Sequence, residues 1–139
     1  MTMNWDETFE HFKKHTPDDP DEVDFDDQFP TGGFVIFLPQ VMLKHIIDEN
    51  RVSLDGKTIL NDINRAKWSE IGQRIDDNEQ LTPPWGKLNE DGRIAICQGC
   101  HRFQKAYLNA EDPIPVVFNE QDFEELKLTY GLYGAKLKP

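Results

Sequence analysis

The chain has 139 residues, enough for one domain with its own core and too few for two ordinary ones. Its hydrophobic fraction is 37% and its formal net charge −11, the composition of an acidic globular protein, and no apolar run approaches the roughly 20 residues that span a bilayer. The opening MTMNWDETFEHF has neither a basic start nor an apolar stretch, so no secretion signal is expected there, and cytoplasmic residence is the expectation.

The acidity is concentrated. Residues 1–28 hold ten Asp or Glu against Lys13 and Lys14, a balance of −8, whereas residues 29–139 hold sixteen acids against thirteen bases. Residues 1–30 therefore read as an acidic amino-terminal arm, partly helical or flexible, ahead of a domain over 31–139. Within the arm Trp5, Phe9 and Phe12 recur at helical spacing and predict a short amphipathic helix over 5–15. The stretch from Thr16 onward, with Pro17, Pro20 and seven acids before Phe29, reads as an extended linker or loop.

FVIFLP at 34–39 has the content of a buried strand closed by Pro39, and residues 40–49 fit a short helix. A turn centred on Asp55-Gly56 follows. At 64–78 Trp68, Ile71 and Ile75 form one stripe opposite charges, an amphipathic helix stopped by Thr82-Pro83-Pro84. WGKL (85–88) and IAIC (94–97) flank NEDG, a hairpin signal. Phe103, Ala106, Tyr107 and Ala110 then form the core stripe of a helix that opens at Gly99. IPVVF (114–118) is a further strand, and EQDFEELKLTY a final acidic helix. The order predicts an α+β domain, a small mixed β-sheet flanked by helices.

The candidate site is CQGCHR, at the junction of a strand and a helix. The first turn of a helix presents unpaired N–H groups at the positive end of its dipole, a geometry that attracts anions. Gly99 lets backbone approach a phosphate closely, Arg102 can fork onto its oxygens, and His101 can donate a hydrogen bond. Lys105, one turn on from His101, adds charge.

The stretch GRIAICQGCHRFQKAYLNAEDPIPVVF resembles the ParB/sulfiredoxin superfamily, in which a strand leads into a Gly-x-x-Arg turn, a helix, and a strand beginning Ile-Pro. Gly99-Cys100-His101-Arg102 is similar to the sulfiredoxin form of that turn, Ile114-Pro115 begins the following strand, and the helix at 64–78 with its proline turn also fits. The resemblance implies a ParB/sulfiredoxin-like fold. It implies ATP or a related nucleotide bound through Gly99, Cys100, His101 and Arg102, with Lys105 nearby and a divalent metal such as Mg2+ bridging the phosphates. It makes Cys100, His101 and Arg102 the catalytic candidates, for phosphoryl transfer, nucleotide hydrolysis or sulfinic-acid reduction with Cys100 as nucleophile. A thiol in a first helical turn beside His101 and Arg102 is expected to have a lowered pKa. The chain departs from sulfiredoxins in carrying Ile36-Phe37-Leu38-Pro39 where they have an arginine-bearing segment, a gap that Lys44 or Arg65 would have to fill. Glu90, Asp91 and Glu111 are the remaining carboxylates considered for metal or base work, beside their roles as turn and cap residues.

Other patterns compete. Cys97-Gln-Gly-Cys100 is a C-x-x-C pair suited to thiol exchange, and with His101 it also satisfies a haem-attachment or partial zinc pattern. The rival from a different class is an acidic accessory protein of phage or plasmid type, whose residues 17–28 imitate nucleic acid and bind or inhibit a basic partner. The same negative charge argues against direct binding of nucleic acid.

Overall fold

The computed structural model describes residues 3–55 and 65–139. Its centre is a five-stranded mixed sheet formed by β2 (Phe34–Leu38), β4 (Trp85–Leu88), β5 (Ile94–Gln98), β6 (Ile114–Phe118) and β7 (Gly134–Lys136), in the spatial order β5-β4-β6-β2-β7. The pairs β4/β5, β2/β6 and β2/β7 are antiparallel and β4/β6 is parallel. The α+β architecture with a mixed sheet is thus as expected. A second, two-stranded parallel sheet joins β1 (Asn4–Trp5) to β3 (Gln80–Leu81). Among the described residues no helix is long and apolar enough to cross a membrane.

Alternation along the strands sends side chains to two faces. Phe34, Ile36 and Leu38 of β2 and Ile114, Val116 and Phe118 of β6 enter the larger core. There they meet Leu43 and Ile46 of α3 (Leu43–Ile46), Ile75 of α4 (Arg65–Asp76), Phe103 and Ala106 of α5 (Cys100–Leu108), and Phe123 and Leu126 of α6 (Glu120–Tyr130). Gly86 is what lets Phe118 and Val116 pack this close to β4, because a Cβ would stand 2.8 Å from both side chains. Pro115 fits a central strand because Phe37, opposite it, turns its N–H away to Tyr133 O at 3.0 Å.

Val35, Val117, Trp85 and Leu137 face the other way, and the acidic arm covers them. Phe12 of α1 (Phe9–His15) is fully buried there, Phe29 nearly so, and their rings meet edge-on at 5.3 Å. Phe9, Val23 and Phe25 pack around them. The arm is therefore a layer of the same domain. Helix α1 begins later than its periodicity suggests: Thr8 caps it by accepting from His11 N at 3.3 Å, and Trp5 lies instead in β1 against Leu81. The expected linker holds a 3-10 turn at Pro20–Glu22 and helix α2 (Phe25–Gln28), each started by an aspartate, Asp19 and Asp24, that accepts a backbone N–H. Acids that suggested an open chain are here the caps of short helices. Residues 40–46 form a 3-10 turn running into α3 rather than one longer helix. The turn expected at Asp55-Gly56 falls largely outside the described residues.

Candidate functional site

Strand β5 ends at Gln98, and Gly99 turns the chain into α5 with φ 80° and ψ 28°, left-handed values that suit glycine. Space enforces the choice as well, since a Cβ would lie 2.7 Å from Arg102 Nη2 and 3.0 Å from Pro84 Cα. The helix proper starts with Phe103 N donating to Gly99 O at 2.9 Å, so the N–H groups of the preceding turn have no helical acceptor.

In front of that turn lies a cavity of about 230 Å3. Gln98, Gly99, Cys100, His101 and Arg102 form its floor; Lys67, Glu70, Ile71 and Arg74 of α4 form one wall; Arg51 and the arm residues His15, Thr16, Pro17 and Asp18 complete it. Four full cations, Arg51, Lys67, Arg74 and Arg102, thus meet two carboxylates, Asp18 and Glu70, in a protein whose overall charge is −11. The charge lining the cavity is thus opposite in sign to that of the molecule around it.

The expected site residues divide. Gly99, Cys100, His101 and Arg102 all line the cavity, but Lys105 does not. Its ammonium sits 4.1 Å from the centre of the Trp68 ring, where it locks α5 to α4. Arg102 is buried, and its fork is already engaged: Nη1 donates to Thr82 O at 2.8 Å and Nη2 to Thr16 O at 3.1 Å. It ties the arm and the proline turn to α5 rather than reaching out to oxygens of a ligand. Burial, with Arg74 adding repulsion, lowers its pKa to about 10. Lys44 and Arg65, the suggested stand-ins for a missing arginine, are exposed and lie outside the cavity. Glu111 accepts the Met3 N–H, and Glu90 and Asp91 sit exposed in the β4–β5 turn.

The thiol at Cys100 also differs from expectation. Burial pushes its pKa up despite Arg51 and the helix start, and it donates to Ile96 O at 3.6 Å. Cys97 is raised by burial too, and packs among Trp85 and Val117 on the arm's face of the sheet, while Cys100 packs with the larger core. Two half-buried thiols committed to opposite faces are poorly placed for dithiol exchange. His101 is held below its ordinary value, first by burial and then by Lys67, which keeps its ring neutral and able to accept a proton.

Sequence reasoning missed Arg51, Lys67 and Arg74, because they come from separate segments with no motif between them. Arg51 donates to Cys97 O at 2.6 Å. Its loop is held by Gln104, whose amide accepts from Ser53 N at 2.8 Å and donates to Ser53 O at 2.6 Å, and by Tyr107 OH donating to Leu54 O at 2.7 Å. The signal for this clamp was a glutamine beside Phe103 on the buried side of α5. Comparison with family models, curated proteins and solved structures finds no match for the chain.

Proposed function

We propose that the chain binds the phosphate groups of a nucleotide, ATP or a close relative carrying Mg2+, in the cavity before α5. The observation that carries this reading is the convergence of Arg51, Lys67 and Arg74 with the first turn of α5 on one cavity. Amide donors and cations together suit the tetrahedral oxygens of phosphate. The likeness of Gly99 to Arg102 to the ParB/sulfiredoxin turn supports the same assignment. The metal would ride on the phosphate oxygens, and no side chain is assigned to it.

The chemistry that fits these residues best is phosphoryl transfer or hydrolysis. Arg51 and Lys67 would offset charge on the phosphates, and His101, favoured as the neutral ring, would take a proton. Arg102 contributes its field and the shape of the floor, not a direct hydrogen bond. Sulfinic-acid reduction asks for a ready thiolate at Cys100, which burial opposes.

The test is calorimetric titration of ATP with Mg2+ into the whole chain. Saturable binding is expected, with Arg51→Ala and Lys67→Ala each weakening it about tenfold through loss of a charge-assisted contact while the melting temperature holds. Wild-type protein that takes up no ATP at millimolar concentration overturns the proposal. One observation favours a second reading: Asp18, Asp19, Asp21, Glu22, Asp24, Asp26 and Asp27 are all exposed while Phe25 and Phe29 root the same segment in the core, giving a fixed acidic ridge suited to a basic protein partner. A protein that works through this ridge alone leaves ATP unbound in the same titration.

A further inference from the structure

The cations of the cavity already face a carboxylate of their own chain. Asp18 Oδ1 lies 3.0 Å from Lys67 Nζ, and Asp18 lines the cavity together with Arg51 and Arg74. Its place is set by its neighbours: Thr16 O accepts from Arg102 Nη2, Thr16 Oγ1 donates to Pro83 O at 3.2 Å, and Pro17 is buried with its φ fixed by the ring. The arm is thereby pinned just before the acid and carries it to this spot. Asp19, the next residue, has the same charge but does not line the cavity. The charge of Asp18 reaches His101 and Arg102, opposing the burial that lowers their pKa values, and Cys100, where it adds to the burial that raises it. Both partners are substantially exposed, 74% for Asp18 and 49% for Lys67, and an ion pair so open to water adds little to folding.

We propose that Asp18 is a built-in competitor for the anion: its carboxylate holds Lys67 until a phosphate displaces it, so that the acidic arm sets the affinity of the site. The inference rests on the phosphate-binding reading above and adds a regulatory element to it.

The probe is tripolyphosphate, titrated in EDTA and at low ionic strength into wild type, Asp18→Asn and Asp19→Asn. Asp18→Asn is expected to bind about fivefold tighter than wild type, and Asp19→Asn, which removes the same net charge outside the cavity, within about twofold of it. The gap between the two variants should shrink in molar salt, where exposed charges are screened. Melting curves of the three proteins should coincide within a few degrees, since the pair is exposed. Binding by wild type with Asp18→Asn no tighter than Asp19→Asn overturns the role of Asp18 and leaves the phosphate site standing. No binding of tripolyphosphate by any of the three overturns the role of Asp18, and where ATP with Mg2+ is also left unbound the phosphate site falls with it.

Discussion

The two faces of the central sheet are built by different means. The larger face is covered by α5 and α6, whose apolar residues recur at helical spacing and bury Phe103, Ala106, Phe123 and Leu126. The smaller face is covered by the arm, where isolated aromatics, Phe9, Phe12, Phe25 and Phe29, reach down from segments that are otherwise acidic. Aromatic side chains bury large areas each, so a handful suffices to hold a layer whose remaining residues stay in water. The contrast teaches that an acid-rich segment can be part of a core, and here the thinner layer is also the one that supplies a wall of the cavity.

The sharpest test of that contrast compares Phe103→Ala with Phe12→Ala, both fully buried. Each truncation is expected to cost about 3–5 kcal/mol in denaturant unfolding. They should differ in where protection is lost: Phe103→Ala loosens the whole domain, whereas Phe12→Ala raises hydrogen exchange first over residues 9–29. Uniform loss in both would mean that the layers do not separate.

Arg102→Met comes next in size. It strips partners from Thr82 O and Thr16 O, and about 2–4 kcal/mol of stability should go with them, together with the same early exchange in the arm. A stable variant with a protected arm would show that the guanidinium is not the tie between the layers.

The smallest effect is a pH dependence. His11 sits between the arm and the proline turn, its Nδ1 on Thr82 Oγ1, and burial lowers its pKa below the ordinary 6.5, as burial does for His101. Protons then prefer the unfolded chain, so stability is full above the ordinary value and declines as pH falls through it toward the folded-state value. Melting temperature is expected to drop as the solution is acidified through that range, and His11→Asn to flatten the slope. An unaltered slope would assign the decline to His101.

What could be read in advance follows the same division. Helices α4, α5 and α6 and strands β2, β4, β5 and β6 repeat a pattern long enough to recognise, and α6 begins and ends where its sequence implies, at Asn119 and Gly131. Strands β1, β3 and β7 have two or three residues each and exist only through partners distant in sequence. At the site, the turn Gly99 to Arg102 was legible because one glycine and a strand-to-helix change mark it. The direction of Arg102 was not, since it depends on carbonyls at 16 and 82 that only the folded chain brings near.

Thr8 and Lys138 are bridged in parallel, with Phe9 N donating to Lys138 O at 2.7 Å and Lys138 N to Glu7 O at 3.1 Å. These two segments, far apart in sequence, run side by side, so the stretch after the edge strand β7 clasps the entry to α1.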